Sequence, residues 1–223
     1  MSRHIKAVGF DFDGTLVLSE EKKAREMAKV FREKFGVQRG VPTAYRKVAG
    51  TGKNRQEKVT LLFRQFLRRK PTRQELRAMD EHFGFHYEQS LHRCPLMQCT
   101  NVLGELKKQV EFLFLLSLEN KREVHRIAEH CGLGKYFAEI LGGPKSKQEN
   151  LLHVVKKHQL KPQEVLYVGD SAGDILAAKK VGVKVVVLQK NFRYRELLKK
   201  LGADFTFSSL CALPKRVEEF ERG

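Results

Sequence analysis

The sequence predicts an α/β fold, a doubly wound parallel sheet with an all-helical segment inserted after its first strand. Two patterns predict it. After Pro95, short apolar runs with β-branched content alternate with amphipathic helical stretches, as in a parallel sheet covered on both faces. From Val8 to Cys94, by contrast, one strand is followed by helical patterns only.

The elements follow in order. Ala7 to Asp13 reads as a short buried strand that stops at Gly14. Ala24, Met27, Ala28, Phe31 and Phe35 then share one helical face, with Ser19 placed to cap it. A second helix carries Val59, Leu62, Phe63, Phe66 and Leu67 on one face. A third starts behind Pro71 with Thr72 and Glu75 as a capping box. Beyond Pro95, Val102, Leu103 and Leu106 mark a helix, Phe112 to Leu116 a strand, and Val124, Ile127, Ala128 and Cys131 another helix. Glu139 to Leu141 is a short strand, and Ser146 with Glu149 caps the helix after it. Val165 to Val168, Val185 to Leu188 and Phe205 to Phe207 complete the strands. Residues 1–17 and 94–223 thus form the α/β core, and residues 18–93 a helical cap.

Composition bounds the function. Of 223 residues 41% are hydrophobic, enough for a sizeable core, and the apolar runs fall far short of the roughly 18 residues of a bilayer span. The start lacks the apolar stretch of a secretory signal, so a cytoplasmic location is expected. The four cysteines form no CxxC, and reduced thiols are the expectation. His82, His86, His92, Cys94 and Cys99 match no common zinc spacing, and scattered surface histidines account for them. The net charge of +17, more than half of it between Ser19 and Arg93, favours anionic partners, from phosphorylated metabolites to nucleic acid.

In open parallel sheets, ligands bind beyond the carboxyl ends of the strands. Polar residues gather at four of those ends here: Asp11, Asp13, Gly14 and Thr15; Ser117; Gly142-Gly-Pro-Lys-Ser-Lys147; and Gly169-Asp-Ser-Ala-Gly-Asp174. Residues i and i+2 of a strand point to one side, so Asp11 and Asp13 are expected to face one pocket. Two such carboxylates stay ionised together only beside a cation. Asp170 and Asp174 supply further oxygens for Mg²⁺, and Lys147 and Ser117 suit the grip of a phosphate.

These motifs resemble those of the haloacid dehalogenase superfamily: Asp11-Phe-Asp-Gly-Thr15 the first, Ser117 the second, the lysine of Gly142–Lys147 the third, and Gly169–Asp174 the fourth. The inserted helices are similar to the caps of its phosphoglycolate phosphatase and β-phosphoglucomutase branch. The resemblance implies a Rossmann-like core and a Mg²⁺-dependent phosphatase acting on a small phosphorylated metabolite through an aspartyl-phosphate. Asp11 is then the nucleophile and Asp13 the acid and base. Mg²⁺ is held by Asp11, the Asp13 carbonyl and Asp170, with Asp174 close by. Ser117 and Lys147 hold the phosphoryl group with backbone N–H groups near Phe12 and Leu118. An acid at Asp13 argues for phosphoryl rather than halide chemistry. A phosphomutase with the same nucleophile fits as well, and so does a basic nucleic-acid-binding protein with a vestigial site. Lys145 competes with Lys147 for the third motif, and Leu18 stands where many relatives carry Asp. In the cap, Gly50-Thr-Gly-Lys53-Asn-Arg55 is the loop expected to reach the substrate, through Lys53 and Arg55.

Overall fold

A computed structural model describes residues 4–90 and 96–222. Six parallel strands form one sheet: β1 (Ala7–Asp11), β2 (Phe112–Asn120), β3 (Glu139–Gly143), β4 (Val165–Gly169), β5 (Lys184–Leu188) and β6 (Phe205–Phe207). Their order is β3-β2-β1-β4-β5-β6. The chain winds outward from β1 to β3, returns to lay β4 against the other side of β1, and winds outward again. This reversal opens a crevice beyond the carboxyl ends of β1 and β4.

Helices cover both faces, which is why the strands read as continuous apolar runs. Alternate strand residues divide between two cores. Val8, Phe10, Leu113, Leu115, Leu166 and Val168 pack with α5 (Val102–Gln109), α6 (Lys121–His130) and α10 (Leu213–Arg222). Ala7, Phe114, Leu116, Tyr167 and Val185 pack with α7 (Lys147–Lys157), α8 (Ala172–Val181) and α9 (Phe192–Lys200). Among the described residues, the elements between β1 and β2 are all helices: ahead of α5 come α1 (Glu20–Phe35), α2 (Val41–Val48), α3 (Arg55–Leu67) and α4 (Arg73–Ser90). Met27, Phe31, Val59, Leu62, Phe63 and Phe83 form their interior, which runs without a break into the first of the two cores.

Most expected elements are present, with local differences. Thr72 and Glu75 make the reciprocal bonds of a capping box, at 2.7 and 3.1 Å. Ser146 and Glu149 do the same at α7. Ser19 stands at the N-cap of α1, but its hydroxyl makes no cap bond. β1 stops at Asp11 rather than Asp13, and β2 continues past Leu116, its pairing with β3 shifting register between Leu116 and Asn120. Ser117 is therefore inside a strand.

The thiol expectation is corrected. Cys99 and Cys211, 112 positions apart, are joined as a disulfide with their Cα atoms 5.3 Å apart, within bridging reach. The packing of α5 against α10 brings them together, and spacing along the chain carries no trace of that. Of the histidines weighed for zinc, His82 faces Glu33 at 3.3 Å and His86 meets Lys29 at 3.3 Å, while His92 and Cys94 lie outside the described residues.

Gly9 sits at the middle of β1 in register with Phe114, whose ring occupies the space a side chain would need. A Cβ on Gly9 would fall 2.2 Å from that ring. Gly9→Ala is therefore expected to destabilise the fold by about 1–3 kcal/mol, the usual cost of overpacking. Urea unfolding should show a lower midpoint at unchanged slope, with partial recovery on adding Phe114→Leu.

Candidate active site

Asp11 is the last residue of β1, and the turn beyond it is built around Gly14. Leu16 and Val17 donate their amides to the Phe12 carbonyl at 3.0 Å, and Gly14 donates to Val17 at 2.8 Å. Gly14 has φ +85°, a conformation that favours glycine, and a Cβ there would fall 2.1 Å from Asp170 Oδ2. The glycine thus turns the chain and admits the carboxylate of the neighbouring strand end.

Three carboxylates meet at this point. Asp11, Asp170 and Asp174 place oxygens within 4.8 Å of one another. Lys147, the first residue of α7, reaches in with its ammonium 2.6 Å from Asp11 Oδ1 and 2.5 Å from Asp174 Oδ1. This identifies Lys147, rather than Lys145, as the lysine beside the carboxylates. Asp174 is saturated: it also accepts from Tyr167 Oη at 3.1 Å, the Ser171 amide at 3.1 Å and the Ser171 hydroxyl at 2.5 Å. Burial opposes its ionisation, but Lys147, Ser171 and Tyr167 hold it below the usual carboxylate range. Asp11 has less support. Burial pushes it up to about 7 against the pull of Lys147, with Asp174 and Asp13 adding to the rise. Burial, then Asp11 and Asp174, push Asp170 well above its ordinary value, and Lys147 offsets only part of this.

One ammonium among three carboxylates, two of them buried, leaves negative charge uncompensated. The donors are hard oxygens. Such a set fits a divalent cation such as Mg²⁺, which takes few carboxylates and retains water.

Asp13 lies beyond the strand, bridged to Val17. It faces the same cavity as Asp11, but the reason is the turn rather than strand alternation. Its carboxylate accepts from Ser19 Oγ at 2.5 Å and Tyr87 Oη at 3.1 Å, and pairs with Lys23 Nζ at 2.7 Å. Ser117, 1% exposed, places its hydroxyl 3.5 Å from Asp13. Phe12 sends its ring into the core, so its part at the site is confined to its backbone.

A cavity of about 380 Å³ lies over these residues. Leu118 and Lys53 line it, together with Arg46 and Lys58, which sequence patterns do not single out. The Gly50 carbonyl accepts from the Gly173 amide at 3.2 Å, so the cap loop rests on the start of α8, beside Asp170. Arg55 is placed elsewhere. Its guanidinium pairs with Glu119 at 2.6 Å and Glu123 at 2.8 Å and stacks over Phe83, outside the cavity lining. The substrate contact expected of it is corrected to a structural ion pair: as the first residue of α3, it meets two core carboxylates before it can reach the pocket. Leu18 is half exposed and also outside that lining.

A family model described as haloacid dehalogenase-like hydrolase matches residues 5–182. The chain belongs to this family. A phosphoglycolate phosphatase of Chromobacterium violaceum is 30% identical over 95% of this chain and 96% of its own. A crystal structure described as a predicted phosphoglycolate phosphatase from Haemophilus somnus superposes with a TM-score of 0.81 at 25% identity, covering 97% of this chain and 99% of its own. CbbY of Rhodobacter sphaeroides, solved with xylulose 1,5-bisphosphate, shares the fold at a TM-score of 0.75 and 20% identity, over 92% and 94% of the two chains. This haloacid dehalogenase-like hydrolase is an enzyme of the phosphatase kind. Among the described residues no helix is long and apolar enough to cross a membrane.

The raised carboxyls set a pH dependence. A carboxyl raised in the folded state stabilises below its unfolded value and loses that contribution as pH climbs through the folded one. For Asp11 the window runs from about 4 to about 7. A cation bound there would displace those protons, so Mg²⁺ should raise the melting temperature more at pH 8 than at pH 6. Differential scanning calorimetry at both values checks this, and Asp170→Asn should remove most of the shift.

Proposed function

We propose that the chain is a Mg²⁺-dependent phosphatase that hydrolyses a small phosphorylated metabolite through an aspartyl-phosphate on Asp11. The observation that carries this reading is the convergence of Asp11, Asp170 and Lys147 at the strand-order reversal, with carboxylate oxygens close enough to share one ion. Asp11, the Asp13 carbonyl and Asp170 would hold Mg²⁺, which when bound neutralises phosphoryl charge. Asp174 lies close by, and its bonds to Lys147 and the Ser171 amide fix both the lysine and the turn that carries Asp170.

In the first half-reaction an Asp11 oxygen bonds to phosphorus as the ester P–O bond breaks. Asp13 gives a proton to the departing oxygen. In the second, water attacks phosphorus, Asp13 takes its proton, and the bond to Asp11 breaks to release inorganic phosphate. Lys147 and Ser117, with the amides near Phe12 and Leu118, hold the phosphoryl oxygens. Charge neutralisation and positioning carry most of the rate enhancement for so loose a transition state.

The enclosed volume suits a small substrate, and Arg46, Lys53 and Lys58 supply positive charge on its cap side. An ester with a second anionic group is favoured. Phosphoglycolate, named for the relatives, carries a carboxylate at that end and is the first compound to assay. An intact carboxylate–lysine centre supports catalysis over a vestigial site on a nucleic-acid-binding protein. Release of inorganic phosphate without an isomerised product distinguishes hydrolysis from the mutase reaction.

Asp11→Asn is expected to lower Mg²⁺-dependent phosphate release by at least about 10³-fold with an unchanged circular dichroism spectrum. Turnover at the wild-type rate in that variant would remove Asp11 from the nucleophile's role. Lys147→Met should be nearly as damaging, whereas Lys145→Met should leave kcat within about twofold.

A further inference from the structure

Asp13 follows a strand of the sheet, yet the three shortest bonds to its carboxylate come from the helical insertion and its entry, with Ser117 of β2 farther off at 3.5 Å. Ser19 precedes α1, Lys23 lies on α1 and Tyr87 on α4, at 2.5, 2.7 and 3.1 Å. Lys23 is 1% exposed and sits 5.2 Å from the centre of the Tyr87 ring. Its ammonium is shared with Glu119 at 2.7 Å, near the end of β2. Glu119 pairs in turn with Arg55 of α3, and Arg55 with Glu123 of α6.

The charges thus form a buried ladder, Asp13–Lys23–Glu119–Arg55–Glu123, alternating in sign and alternating between sheet side and insertion. Each rung crosses the boundary between the two. Buried ion pairs return little net stability, because desolvation cancels most of the attraction. What such a ladder does supply is geometry. Lifting the insertion would withdraw Lys23 and Tyr87 from Asp13 together and leave Glu119 and Glu123 without Arg55.

We propose that Lys23 is a positioning residue for the Asp13 carboxylate, itself held in place by Glu119 and, through Glu119, by Arg55 and Glu123. This rests on the phosphatase reading, in which Asp13 protonates the leaving oxygen.

The test is kcat/KM over phosphate monoesters whose leaving groups run from p-nitrophenol to simple alcohols. Good leaving groups depart without an acid, and poor ones need it. Lys23→Met should change kcat/KM for p-nitrophenyl phosphate, which reports only the steps up to loss of the leaving group, by less than about threefold, and kcat/KM for alkyl phosphates by about tenfold or more. Its dependence on leaving-group basicity becomes steeper. Lys23→Arg should recover part of the loss. Tyr87→Phe, which keeps the ring packing, and Arg55→Met should steepen the dependence less. A uniform fall across the series, or none, in Lys23→Met and Tyr87→Phe overturns the positioning role. If Lys23→Met fails to fold, the slope of Tyr87→Phe decides. A wild-type protein that turns over none of the esters takes down the phosphatase reading and this inference together.

Discussion

Repulsion among buried carboxylates is the constraint on which the rest of the structure depends. Asp11 and Asp174, both buried, lie close to the partly buried Asp170, with Lys147 as the ammonium bonded to the first two. Such a cluster is costly in isolation, and its cost must be met by the surrounding fold or by a bound cation. The parallel sheet supplies the position, because the reversal of strand order sets the ends of β1 and β4 side by side. The capping box of α8 supplies part of the charge compensation, through the Ser171 amide and hydroxyl on Asp174. What remains uncompensated is centred on Asp11 and Asp170, the pair whose carboxyls are pushed up.

This arrangement divides the labour among the acids. Asp174, fully buried and fully bonded, is a fixed part of the scaffold. Asp11 and Asp170 lack that support, and their carboxyls are pushed up. Asp13, set beyond the strand end, belongs to neither group, since its nearest partners are two hydroxyls and an ammonium from the insertion and its entry. One turn of four residues therefore serves two environments: a carboxylate cluster against the sheet and a hydrogen-bonded acid against the helices.

Local signals made the strand ends and the capped helices legible in the sequence. Apolar runs, Ser146 with Glu149, and the polar residues after each run depend on neighbours a few positions away. Lys147, Asp170 and Gly14 were accessible for the same reason, although the closeness of Gly14 to Asp170 was not. Long-range pairing was out of reach. Nothing near Lys23 announces a partner at Glu119, and nothing near Cys99 announces Cys211. Arg55 shows how this misleads: in a basic loop it looks like a substrate contact, but two acids from β2 and α6 claim it first. Ser19 errs in the same direction, its hydroxyl drawn from helix capping to Asp13.

The most direct measurement is a crystal structure of the protein with Mg²⁺ and beryllofluoride, a mimic of the phosphoryl group. One Mg²⁺ with oxygens of both Asp11 and Asp170 at about 2.0–2.1 Å, beryllium bonded to Asp11 and Lys147 on its fluorides, is the result expected. A metal bound without Asp170, or beryllofluoride attached away from Asp11, would contradict the shared-ion centre.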